Sequence, residues 1–224
     1  MEALAVIWAP VRSLARAAEE QRVLLGFGIV ALYAALQLAT AVVDILGGAT
    51  ASAFDPENFP GLPPEFVEGL SRGGQIVIII WAMLSPFIGW AVVSLLMQLV
   101  TRFFGGTGPI SGMFAVVGVA TVPLVILSVI ELPATGLQAV VGPESAAAVI
   151  VDLLLLLLAL AAYAWNIVLV VIGAAFARRI GYGESAGSCA ISCAGCVGLI
   201  LTVGLVFGAL IAILLQVAGS AGAP

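Results

Sequence analysis

The chain has 224 residues, of which 63% are apolar and 8% charged, with a net charge of −5 and neither lysine nor histidine. Soluble domains carry charge on about a quarter of their residues, so this composition excludes one and calls for a bilayer as solvent. The lack of any basic patch excludes a nucleic-acid partner, and the lack of histidine removes the commonest physiological proton carrier and metal ligand.

About 20 consecutive apolar residues cross the hydrocarbon core as a helix. The length therefore accommodates five spans with short loops. The predicted fold is an all-α membrane protein, five transmembrane helices preceded by a short amphipathic N-terminal helix.

Residues 1–22 do not read as a secretory signal, because the first long apolar run begins only at Val23 and no cleavage pattern follows it. Leu4, Ile7, Val11, Leu14 and Ala18 recur at helical spacing, and Arg12, Arg16, Glu19, Glu20 and Arg22 fall on other faces. Pro10 suits a first helical turn. The pattern predicts a cytoplasmic amphipathic helix lying on the membrane surface, with Trp8 among the headgroups.

The first span is predicted over 23–43. Residues 44–74 form an acidic extracytoplasmic loop with a short helix from Pro63 to about Leu70. The second span, 75–100, contains Pro86, which a membrane helix tolerates as a kink. The third covers 113–130 and contains Pro123, the fourth 147–177, and the fifth 188–217. Together, 23–217 form one transmembrane domain. Arginines in short loops mark the cytoplasmic side. Arg12, Arg16, Arg22, Arg102, Arg178 and Arg179 fall on one side, and Arg72 alone on the other. This places the protein in the cell membrane, with its N-terminus cytoplasmic and its C-terminus extracytoplasmic.

Polar groups at membrane depth are functional candidates. Asp152 and Glu131 fall at the outer interface. Asn166 lies 12 residues before Arg178, about 18 Å along a helix and thus near the midplane. Gln37 is similarly deep in the first span. Each has two readings, an interhelical hydrogen bond or part of a solute path, and the first is favoured. Cys189, Cys193 and Cys196 fall on one face of the fifth span. With no histidine to complete a metal site they read as small-residue packing, beside a Gly204/Gly208 pair that permits close helix approach. No cofactor or metal is expected. Gly105, Gly106 and Gly108 lack the lysine and preceding strand of a phosphate loop. They fit a tight reversal between two spans, anchored by Phe103 and Phe104. No nucleophile–base pair stands out in the sequence, so an enzyme is not expected.

The stretch Phe104-Gly105-Gly106-Thr107-Gly108-Pro109-Ile110-Ser111-Gly112, followed by Gly118 and Pro123 in a Gly-x-x-x-x-Pro pattern, resembles the central signature of the Yip (Ypt/Rab-interacting protein) domain family. The run from Trp165-Asn166 to Gly173, and the small residues Ser185-Ala186-Gly187-Ser188-Cys189-Ala190, resemble that family's fourth span and the start of its fifth. Val119 stands where members often have Tyr, and the fourth loop lacks their frequent His. The chain also lacks the long N-terminal domain of eukaryotic members, which resembles the prokaryotic branch. The resemblance implies five spans. Eukaryotic relatives bind prenylated GTPases and shape membranes, but the surface for that is too short here. The expected role is a non-enzymatic membrane scaffold or adaptor in membrane organisation or protein trafficking. Its partners would be lipids and either a membrane protein or further copies of itself. The alternative is a small-solute transporter or channel using Asn166 and Gln37.

Overall fold

The computed structural model describes residues 5–47, 64–141 and 145–195, and the isolated positions 197, 198, 202 and 205. The described chain is helical, without strands. Its elements are α1 (Ala5–Trp8), α2 (Pro10–Glu19), α3 (Val23–Leu46), α4 (Pro64–Phe103), α5 (Ile110–Ala120), α6 (Val122–Val141) and α7 (Ala146–Arg178). A further helix, α8, covers residues 182–195. Among the described residues, α3, α4, the α5–α6 pair and α7 are long and apolar enough to cross a membrane. The rest of the predicted fifth span, with Cys196, Gly204 and Gly208, lies outside the described residues, as does most of the predicted acidic loop.

Two elements run longer than the residue pattern predicts. The short helix expected over 63–70 and the second span are one continuous helix, α4. Gly69, Gly73 and Gly74 weaken a helix without ending it, and the Glu68–Arg72 pair at 2.8 Å supports the junction. Likewise α6 continues past Glu131 through Pro133 to Val141.

The break between α5 and α6 has a chemical cause. Pro123 has no N–H to donate to the carbonyl four residues back. The backbone tightens there: Thr121 N–H donates to the Gly118 carbonyl at 3.2 Å, and Leu124 N–H to the Thr121 carbonyl at 2.9 Å. Leu124 therefore no longer serves the Ala120 carbonyl, which is left for another partner.

Helix packing relies on small residues. Lipid gives little hydrophobic drive between helices, so close van der Waals contact decides which faces meet. A Cβ added to Gly118 would lie 2.5 Å from Gly26 Cα, so α3 and α5 cross backbone to backbone. A Cβ on Gly173 would lie 2.8 Å from Val116 Cβ, which sets the α5–α7 contact. Trp90 ties α4 into this frame. Its indole N–H donates to the Phe114 carbonyl at 2.9 Å, and its ring lies 5.0 Å from that of Phe114 and 6.1 Å from that of Phe27.

The N-terminal segment is where the structure departs most from the predicted arrangement. Part of its apolar face does not lie on lipid: Leu14 and Ala18, with Ala17, are buried against α5 and α7 and Val6 belongs to the same core, while Val11 of the predicted face is exposed. Gly112 approaches Ala18 and Ala177, and Gly173 approaches Leu14. Each helix steps four residues between these levels, so α2 runs along the bundle. Farther down, Ala5 and Ala9 border a groove with Val119, and Ile7 borders one with Pro123 and Trp165. Thus α1 and α2 descend from the arginine-bearing end to the level of the α5–α6 break. A groove of glycine, alanine and valine fits this face more closely than fluid acyl chains can, and Trp8 is left exposed on the outside.

Replacing Gly118 by Ala should lower the thermal stability of detergent-solubilised protein by about 1–3 kcal/mol, because backbone must yield to the new methyl. Gly28, whose added Cβ meets nothing within 4 Å, should accept Ala without loss. Equal behaviour of the two variants would contradict the close crossing.

Candidate functional site

Two polar constructions stand out in an otherwise apolar bundle. One is at the arginine-bearing end, where the α4–α5 turn meets the end of α7. Gly105 takes φ +80°, a left-handed conformation natural to glycine. Gly106 N–H then donates to the Thr101 carbonyl at 2.9 Å, and Thr107 N–H to the Arg178 carbonyl at 3.1 Å. Gly108 lies so close to α7 that an added Cβ would sit 1.7 Å from the Ala177 carbonyl oxygen. Only glycine fits there.

The side chain of Arg178 fills the space this turn encloses and is only 2% exposed. Its Nε donates to Thr101 Oγ1 at 3.0 Å, and its two terminal nitrogens donate to the carbonyls of Gly108 and Gly106. Thr101 in turn donates to the Met97 carbonyl at 2.6 Å, which orients its oxygen toward the guanidinium. Each of these acceptors is a neutral oxygen. The planar fork of arginine matches carbonyls diverging from one turn, and a lysine could not satisfy all three. Arg179 takes the left-handed conformation that ends α7, at φ 57°. One arginine therefore turns inward while the next leaves the helix.

The second construction lies about midway along the candidate spans. Tyr33 and Gln37 from α3, Ser85, Pro86, Gly89 and Trp90 from α4, Thr121 at the helix break, and Tyr163 and Asn166 from α7 line a cleft of about 330 Å³. It brings Gln37 and Asn166, far apart in sequence, to one space. Both amides also have protein partners. Asn166 Nδ2 donates to the Ala120 carbonyl at 2.7 Å, the same carbonyl that the break at Pro123 releases. Gln37 Nε2 donates to Ser128 Oγ at 3.1 Å. Thr121 Oγ1 donates to the Val117 carbonyl at 3.1 Å.

The predicted motif residues divide between these places. Gly105, Gly106 and Gly108 form the turn around Arg178. Gly118, Pro123 and Gly173 form the helix joints and the break. Cys189 is buried in the core and Cys193 is exposed. Ser185, on the same helix, donates to the Val171 carbonyl at 2.7 Å and fastens α8 to α7. Sequence reading missed the inward turn of Arg178, the part played by Thr101, and Gly26. Its signal for Arg178 was a positive charge ending a span, which an outward arginine satisfies equally.

Apolar transmembrane helices held by small-residue joints and intramembrane amide bonds define a multi-pass α-helical membrane protein. The Yip1 domain model matches residues 4–205, nearly the whole chain, and the chain belongs to that family. No curated protein and no solved structure matches it.

Replacing Arg178 by Gln should cost roughly 2–5 kcal/mol, since it strands buried carbonyls that each cost about 1–3 kcal/mol unpaired. Arg178→Lys should recover only part of the loss, and Arg179→Gln should cost little. Thermal unfolding in detergent reads all three. A tolerated Arg178→Gln would show that the fork adds nothing.

Proposed function

We propose that the protein is a non-enzymatic membrane scaffold or adaptor that organises other membrane proteins or lipids, with a role in membrane organisation or protein trafficking. The observation that carries this reading is the use of Asn166: its amide is committed to the Ala120 carbonyl that Pro123 releases. A polar group at mid-depth thus holds two helices in place. Arg178 and Gln37 are committed in the same way. The outward faces of α4 and α7, by contrast, are broad and apolar. Ile76 to Ile80 and Trp81 on one, and Leu153, Leu154, Leu156, Leu157 and Leu160 on the other, are exposed. Such faces suit lipid, partner helices or a second copy of this chain. With arginines concentrated at one end of the bundle, that end is cytoplasmic in this reading. The N-terminal segment then enters the bundle from the cytoplasmic side of a cell-membrane protein, and a fifth span carries the C-terminus outside.

A second reading, a small-solute transporter or channel, draws on the polar lining of the mid-depth cleft, where Tyr33, Ser85 and Tyr163 join the two amides. Asn166→Leu separates the two. As a structural tie, Asn166 should when lost lower thermal stability and weaken co-purification of a partner or of the homo-oligomer, with no solute flux to lose. As part of a transport path, its loss should abolish a flux in proteoliposomes while assembly and stability persist.

A further inference from the structure

We propose that the cleft between α3, α4 and α7 is a binding site for a small organic cation, an ammonium group carried on an apolar body. At about 330 Å³ the cleft has the volume of a small-molecule pocket. Its α4 wall is open at Gly89, where an added Cβ would meet nothing within 4 Å. The proposal extends the second reading of the cleft by naming the ligand it would take.

Charge decides the sign of the ligand. The chain has seven basic side chains, all arginines, and no histidine. All seven lie among the described residues, and none lines the cleft. An anion would find no basic side chain here, in surroundings where an unpaired charge is costly. Charge of the other sign is at hand. Leu124, Ser128 and Glu131 follow one another at i, i+4 and i+7 on one face of α6. Leu124 lines the cleft, Ser128 accepts from Gln37 at 3.1 Å, and Glu131 is close enough to act electrostatically on the Tyr33 hydroxyl.

The hydrogen-bonding inventory points the same way. Gln37, Asn166 and Thr121 each spend a donor on a protein oxygen, and the Trp90 indole N–H is spent on the Phe114 carbonyl. Tyr33 is within hydrogen-bonding reach of Tyr163 and Gln37. Pro86, in the α4 wall, withholds the N–H that the Ala82 carbonyl one turn earlier would take. What the lining has left to offer is mainly oxygen acceptors, together with the rings of Tyr33, Trp90 and Tyr163. Electron-rich rings attract an ammonium lying within about 6 Å of the ring centre. A neutral solute would use the oxygens and gain nothing from that attraction.

The test uses the full-length protein in phosphatidylglycerol nanodiscs, which carry no choline headgroup. It reads equilibrium binding of radiolabelled choline, in competition with the uncharged isostere 3,3-dimethyl-1-butanol. Choline should bind, and the isostere should compete at least about tenfold less well, as expected when ring–cation attraction acts in a desolvated site. Tyr163→Leu should weaken choline binding at least about fivefold, whereas Tyr163→Phe keeps the ring and should retain most of it. Gly89→Leu fills the cleft without touching a polar group and should abolish binding, which covers the case where Tyr163→Leu fails to accumulate. Arg102→Gln, at the arginine-bearing end, should bind as wild type does. No choline binding in wild type, equal competition by the isostere, or undiminished binding in Gly89→Leu would each overturn the proposal. So would loss of choline binding on transfer to phosphatidylcholine nanodiscs, because a lipid headgroup would then be the occupant. Choline binding without choline flux in proteoliposomes would support the site and contradict only the transport reading.

Discussion

The arrangement depends on a cation enclosed by the backbone of a glycine turn. Arg178 ends α7 and turns back into the protein, where its guanidinium gathers Thr101 Oγ1 and the Gly106 and Gly108 carbonyls. Removing a charge from water costs several kcal/mol even after relaxation. The cost is offset because each of the three guanidinium nitrogens meets an oxygen already oriented by its own element. Thr101 is fixed by its bond to Met97, and the carbonyls by the left-handed Gly105 and the close approach of Gly108 to Ala177. The end of α4, the start of α5 and the end of α7 are thereby held as one unit. The α8 helix begins directly after it and the α1–α2 segment docks beside it at Gly112.

The remaining polar groups follow the same economy. Hydrocarbon offers no water to a broken helix, so each backbone group freed in the interior must find a protein partner. The break at Pro123 frees the Ala120 carbonyl, and Asn166 meets it. Both α5 and α6 pack against α3, with Gly118 crossing Gly26 on one side of the break and Gln37 bonded to Ser128 on the other. The cleft lies between α3, α4, α7 and the break. Its polar lining is largely the set of groups that hold the helices apart and together.

Much of this was legible in the sequence, for identifiable reasons. Spans announce themselves by length and hydropathy, and the reversal at 105–108 by glycine spacing. Positions where two backbones touch read as glycine in any lipid. The direction in which amphipathic or charged groups face was not legible. The pattern of Leu14 and Ala18 fits a lipid surface as well as it fits a groove between α5 and α7. Only packing selects the groove. Arg178 and Arg179 are adjacent and chemically identical, yet one is enclosed and the other begins the exit from the helix. The difference arises from a turn whose bonded carbonyls lie 70 and 72 residues earlier in the chain. The meeting of Gln37 and Asn166 in one cleft depends on helix order, which no single-chain pattern encodes.

Hydrogen–deuterium exchange of the 102–109 turn in wild type and in Arg178→Gln tests this account most directly. The Gly106 and Thr107 amides donate to the Thr101 and Arg178 carbonyls. In wild-type protein they should exchange slowly despite lying in a glycine-rich turn at the membrane surface. In Arg178→Gln their protection should fall by orders of magnitude while the interior of α7 stays protected. Fast exchange in the wild-type turn, or unchanged protection in the variant, would contradict the claim that Arg178 locks this end of the protein together.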